Sequence, residues 1–172
     1  MNRTLIIYST TDGQTKAICK RIASFLINVK TELMTLEQAS HIGLSDYDQV
    51  IVGASIRYGK HRPELYDFLK KNKVQLSTKK SAFFSVNVVA RKPLKNTPES
   101  NPYMIKFLDA TSWRPDQLAV FAGKIDYPKY GFIDKHMIRF IMWMTKGPTD
   151  TSGTYEFTDW SAVEEFALRL SS

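Results

Sequence analysis

The residues near the amino terminus best suited to chemistry crowd into one turn: Ser9, Thr10, Thr11, Asp12, Gly13, Gln14 and Thr15. Hydroxyl donors at this density favour an oxyanion, and Gly13 lets the backbone turn tightly beside it. Positive charge gathers in two further runs, Arg57, Lys60, His61 and Arg62 in "RYGKHR" and Arg91, Lys92 and Lys95 in "RKPLK". The whole chain carries a formal charge of +7, a balance that suits nucleic acid, an anionic membrane surface or an acidic small molecule. Charge alone does not choose among them.

These groups need elements to position them. "TLIIYS" (4–9) is a short apolar, β-branched run of the kind buried on both faces in a parallel sheet. From Gly13 to Asn28, Ile18, Ile22, Phe25 and Leu26 recur at helical spacing. Residues 31–36 predict a second strand and "DQVIVGAS" (48–55) a third, followed by a helix over 63–73 opened by Pro63. "KSAFFSVNV" (80–88) predicts a fourth strand, 101–112 a helix and "QLAVFAGKI" (117–125) a fifth strand. The last helix, "SAVEEFALRL", begins at Asp159 or Ser161, with Glu164 placed to close a capping box on Ser161. Alternating strands and helices predict an α/β fold with a doubly wound, five-stranded parallel sheet. Ligands then sit beyond the carboxyl ends of the strands near the topological switch point. Residues 1–172 read as a single domain with an insertion over 127–153.

In this arrangement the hydroxyl-rich turn follows strand one and opens helix one. Free N–H groups and the positive end of the helix dipole make it an anion site, with a terminal phosphate as the expected occupant. An ordinary strand-to-helix turn with Asp12 as N-cap is the competing reading. A P-loop is excluded because Gln14 and Thr15, not Lys and Ser or Thr, follow Gly13, and a dinucleotide fingerprint is excluded because it needs three spaced glycines. Cys19, the single cysteine, leaves no internal disulfide and no thiolate-rich metal site, so no metal is expected. No signal-type segment and no apolar run of about 18 residues is present.

"STTDGQT" after strand one resembles the FMN phosphate loop of flavodoxins, and the strand and helix alternation resembles their whole fold. "GASIRYG" (53–59), "SVNVVARKP" (85–93), "WRPD" (113–116) and "FTDW" (157–160), in that order, resemble the menaquinone-dependent protoporphyrinogen oxidases of bacterial haem synthesis over essentially the full chain. The resemblance implies FMN as cofactor, held by residues 9–15, by Ser55, Ile56, Arg57, Tyr58 and Gly59, and by Ser85, Val86, Asn87, Val88 and Val89. Tyr58 is expected to stack on the flavin ring, with main-chain groups near Gly59, Asn87 and Val88 bonding its polar edge. Electron-carrier flavodoxins are typically acidic there, whereas this chain is basic. Arg57, Lys60, Arg62, Arg91 and Lys92 are therefore expected to bind the propionates of protoporphyrinogen IX, since guanidinium groups pair well with carboxylates.

The activity implied is oxidation of protoporphyrinogen IX to protoporphyrin IX, with menaquinone or ubiquinone as acceptor. No catalytic side chain is assigned, since His61 is a lone histidine and water can take the pyrrole protons. A flavodoxin-type electron carrier is the alternative. A nucleic-acid-binding module is disfavoured because the basic residues lie on separate loops without a stacking platform.

Inside the insertion, "FIDKHMIRFIMWMTK" (132–146) predicts a helix with Lys135, Arg139 and Lys146 on one face and a wide arc of Ile, Met and Phe. About 15 helical residues reach only ~22 Å, short of a hydrocarbon core of ~30 Å. The expectation is peripheral contact with a membrane, at the cytoplasmic face of the inner membrane, with burial in the protein's own core as the competing outcome.

Overall fold

Strand β1 (Arg3–Ser9) is buried from Thr4 through Ser9. Its side chains alternate, Leu5 and Ile7 entering one core and Ile6 and Tyr8 the other. A computed structural model describes Met1–Ser172 in full. β1 is followed by α1 (Gln14–Phe25), β2 (Lys30–Thr35), α2 (Leu36–Ala39), β3 (Gln49–Ser55), α3 (Pro63–Lys71), α4 (Lys73–Ser77) and β4 (Lys80–Val86). Then come α5 (Pro102–Ala110), β5 (Gln117–Phe121), β6 (Lys124–Asp126), α6 (Phe132–Met144), β7 (Thr154–Glu156) and α7 (Trp160–Leu170). The five-stranded sheet runs β2-β1-β3-β4-β5, with every neighbouring pair parallel. Chain order reverses between β1 and β3, so the switch point lies at their carboxyl ends.

Both faces of the sheet are covered. Leu36, Leu65, Phe68, Leu69, Met104 and Phe107 from α2, α3 and α5 pack on one, and Ile18, Cys19, Ile22, Val163, Phe166 and Leu170 from α1 and α7 on the other. Gly53 is fixed by packing, since a Cβ there would lie 2.2 Å from Cζ of Phe84, its partner across β3 and β4.

Two boundaries and one capping box depart from the sequence reading. β4 stops at Val86, because the Asn87 side chain accepts from the Ala90 N–H and starts a short 3-10 turn. β5 stops at Phe121, and past Gly123 the chain forms β6, which pairs antiparallel with β7 in a separate two-stranded sheet. A continuous apolar stretch does not reveal that exit. α7 is capped by Asp159, which accepts from the Ala162 N–H, while Glu164 turns outward to pair with Arg21 rather than closing a box on Ser161.

Between β6 and β7 runs a strap that carries α6. The helix ends in a Schellman turn. Gly147 N–H bonds Met142 O and Lys146 N–H bonds Trp143 O, with Lys146 itself at φ 57°. Lys146 therefore lies beyond the helix, not on its basic face. α6 is 13 residues long, and no helix is long and apolar enough to cross a membrane.

Candidate active site

The turn between β1 and α1 is shaped by its own side chains. Thr10 Oγ1 accepts from Gly13 N–H at 3.0 Å and Asp12 Oδ1 accepts from Gln14 N–H at 3.1 Å. Gly13 itself, not Asp12, is the N-cap of α1, at φ 93°. Two N–H groups expected to be free are thus occupied, but those of Thr11, Asp12, Thr15 and Lys16 have no partner within the chain. Thr15 is fully buried at the start of α1 and its hydroxyl also lacks a partner. Buried hydroxyls are normally bonded, so this one is a donor held ready for something the chain does not supply. Gln14 is committed elsewhere, its Nε2 donating to Glu156 Oε1 and Thr158 Oγ1, each at 2.9 Å.

Beside this turn opens a cleft with an empty volume of about 1080 Å³, open solvent at its mouth included. Thr11, Asp12 and Gln14 line one end, Ser55, Ile56, Arg57, Tyr58 and Gly59 one side, and Val86, Asn87, Val88 and Val89 the other. Three stretches distant in sequence thus converge on one space, as the parallel topology requires. Tyr58 is 54% exposed and sits at φ 51°, so its ring stands at the cleft rather than in the core. Asn87 offers the cleft less than expected, because its N–H bonds Phe121 O at 3.1 Å and its amide is paired with Asn101. The free main-chain donors there are the N–H groups of Val88 and Val89.

The remaining predicted site residues fall outside this cleft. Ser9, Thr10 and Arg62 line a second, polar cleft with Glu37, Glu64 and Asp67. Ser85 is fully buried and bonds His61 Nε2 at 2.9 Å. His61 is a core residue facing Phe83 and Phe107 edge-on, and burial pushes its pKa down to about 4. Lys60 and Lys92 do not line the cleft, and Lys95 is exposed.

The fourth wall is α6 with its C-cap, which supply Asp134, Met137, Ile138, Ile141, Met142 and Thr145. Sequence reasoning found the helix but not this role, since its apolar residues cover a wide arc and no periodicity says which part meets the cleft. The two arginines assigned to substrate fasten this wall. Arg57 Nη2 donates to Asp134 Oδ2 at 3.1 Å, and Tyr58 OH donates to Asp134 Oδ1. These contacts hold the Arg57 guanidinium above its usual range, the Tyr58 hydroxyl foremost. Arg91 Nη2 donates to Thr145 O and Oγ1, both at 3.0 Å, and its Nη1 to Val88 O. Desolvation lowers the Arg91 pKa. Both guanidinium groups are thus already engaged by the protein's own acceptors. Lys124, which does line the cleft, went unnoticed because it stood inside a presumed strand.

The back of α6 is a different surface. Phe132, Ile133, Phe140, Trp143 and Met144 are exposed there, Phe132 at 79% and Trp143 at 69%, beside Lys135 and Arg139.

A parallel sheet of order 2-1-3-4-5 with a cleft over the switch point defines a flavodoxin-type protein, and the flavodoxin domain family matches residues 5–152. Flavodoxin 1 from Bacillus cereus superposes with a TM-score of 0.56 over 98% of this chain and 97% of its own, at 15% identity. Protoporphyrinogen IX dehydrogenase (quinone) of Escherichia coli strain K12 is 43% identical over 171 residues, 98% of this chain and 94% of that one. The Leishmania major protein of the same name is 44% identical over 166 residues, 95% of this chain and 72% of its own. The chain belongs to this protoporphyrinogen IX dehydrogenase family, a branch of the flavodoxin-domain proteins and a family of oxidoreductases.

Proposed function

We propose that the chain binds FMN in the cleft and oxidises protoporphyrinogen IX to protoporphyrin IX, a step of haem synthesis, with menaquinone or ubiquinone as the final acceptor. The observation that carries the FMN assignment is the buried, unpartnered Thr15 hydroxyl beside the free N–H groups of Thr11, Asp12, Thr15 and Lys16. That set matches a phosphate monoester at a helix N-terminus. A flat ring system then lies between Tyr58 and the Val88–Val89 backbone, which bonds its polar edge. Bound FMN supplies two-electron chemistry, accepting hydride from the substrate and passing the electrons to the quinone.

The chain's own residues do the rest. Met137, Ile138 and Ile141 give the tetrapyrrole an apolar wall and exclude water. Lys124 inside the cleft, with Lys60 and Lys92 nearer the surface, meets the propionates, while Arg57 and Arg91 hold α6 in place. The exposed apolar back of α6, flanked by Lys135 and Arg139, enters the headgroup boundary of an anionic membrane and brings the cleft to a lipid-dissolved quinone. We place the protein peripherally on the cytoplasmic face of the inner membrane.

The test is anaerobic mixing of the FMN-loaded protein with protoporphyrinogen, then with a quinone. Bleaching of the flavin absorbance, porphyrin fluorescence and reoxidation by the quinone are expected. A flavin that the porphyrinogen leaves oxidised would make the protein an electron carrier instead. For the membrane, replacing Phe132, Phe140 and Trp143 by Ser should abolish sedimentation with anionic liposomes while FMN content holds, and equal sedimentation of parent and variant would reject the docking face.

A further inference from the structure

We propose that Asp134 is the proton acceptor of the substrate half-reaction, an assignment that rests on the reading of the cleft as a porphyrinogen-oxidising site. The ionisable side chains lining the cleft are Asp12, Arg57, Tyr58, Tyr103, Lys124, Tyr130 and Asp134. Arginine, lysine and tyrosine side chains are as a class weak general bases because their basic forms are scarce in water near neutrality, and burial raises Tyr130 to about 12. Asp12 belongs to the phosphate turn, its Oδ1 held by Gln14 N–H. His61, the histidine of the basic run, is 2% exposed and turned toward Ser85. Asp134 remains, on α6, where that helix meets the loop after β3.

Its setting suits the task. Arg57 and Tyr58 each bond one of its oxygens and fix the carboxylate at the cleft. A carboxylate has about four acceptor positions, so both oxygens can still receive a proton. The side chain is 28% exposed, which lets an accepted proton pass to bulk water. Loss of hydride from a meso carbon breaks a C–H bond whose electron pair leaves with the hydrogen to the flavin, and the tetrapyrrole becomes a cation. The pyrrole π electrons form the new double bond to that carbon, a pyrrole N–H then breaks with its electron pair left on the nitrogen, and its proton goes to Asp134. The hydride and the proton together account for the two electrons and two hydrogens removed. Such a cation is a strong N–H acid, so a carboxylate paired with arginine is basic enough, and its negative charge stabilises the cation as it develops.

The experiment uses FMN-loaded parent, Asp134→Asn and Asp134→Glu, mixed anaerobically with protoporphyrinogen while flavin bleaching is followed. The Asn variant should bleach slower by about 100-fold or more, and the Glu variant should recover to within about tenfold of the parent. In parallel, quenching of protoporphyrin fluorescence by the flavin-free proteins should give dissociation constants within about threefold of one another, because a proton acceptor is not a binding determinant. Bleaching of the Asn variant at the parent rate would overturn the assignment, as would loss of porphyrin binding in proportion to the loss of rate. A parent that does not bleach would instead refute the oxidase reading itself, so the two failures are distinguishable.

Discussion

The turn between β1 and α1 and the strap carrying α6 wall the same cleft, yet they are held in opposite ways. The turn is closed by contacts only two or three residues apart, Thr10 to Gly13 and Asp12 to Gln14, and stands between two elements buried in the sheet core. The strap is held from far away in sequence: Arg57 reaches Asp134 across 77 positions and Arg91 reaches Thr145 across 54. Its single fully packed helical side chain is Met142, in a small core with Ile125 and Tyr127. The proposed phosphate site calls for donors presented without reorganisation, whereas the proposed wall over a large substrate has to part and close again. The cleft thus combines a fixed end and a yielding side.

The largest test strikes the yielding side. Met142→Ala should cost about 2–5 kcal/mol, but only of local stability. Amide exchange over 124–156 should accelerate while that of β1, β3 and β4 holds. Equal acceleration in the sheet would show that the strap is part of the scaffold and erase the distinction.

Next comes a pH effect rooted in the sheet core, away from the strap. His61 titrates at about 4 when folded and near 6.5 when unfolded, so between those values the unfolded chain binds the extra proton. Stability is therefore whole above about pH 6.5 and falls as pH drops toward 4, by at most about 3 kcal/mol. Urea titrations at neutral and mildly acid pH should show this decline in the parent and a flatter profile in His61→Gln. A parallel decline in both would remove His61 as the cause.

Thr15→Val separates ligand binding from folding. FMN affinity should fall by about 1.5–3 kcal/mol, the worth of a hydroxyl bonded to a charged phosphate. The flavin-free protein should be no less stable, because the buried hydroxyl it loses has no partner. Fluorescence titration with FMN and denaturation of the flavin-free protein read the two quantities, and unchanged affinity would detach Thr15 from the phosphate.

The smallest effect belongs to the outer fastening of the strap. Arg57 and Asp134 keep 42% and 28% side-chain exposure, so Arg57→Gln should change global stability by less than about 1 kcal/mol. Faster exchange limited to the first turn of α6 is expected, and a large shift in melting temperature would mean that the pair anchors more than the helix end.

Much of the scaffold was legible in the chain. Strands β1 and β3 and helices α1 and α3 announce themselves because branched apolar runs and helical spacing encode burial locally, and Pro63 and Gly13 mark element ends by backbone geometry alone. The hydroxyl-rich turn between β1 and α1 was legible too, because its donors are consecutive residues. The exit of the chain at Gly123 was hidden, since "QLAVFAGKI" has one composition on both sides of a change of sheet.

The sequence by itself determined the parallel sheet, the gathering of hydroxyl donors at the carboxyl end of its first strand, and the presence of a helix too short to span a bilayer. Tertiary structure alone decided which side of that helix faces the cleft, and that Arg57 and Arg91 fasten it. It also decided that His61 lies in the core and that Asp134 stands at the cleft. The physical reason is range: backbone propensity and burial act over a few residues, whereas the partner of a charged side chain is set by whichever segment the fold brings within about 3 Å.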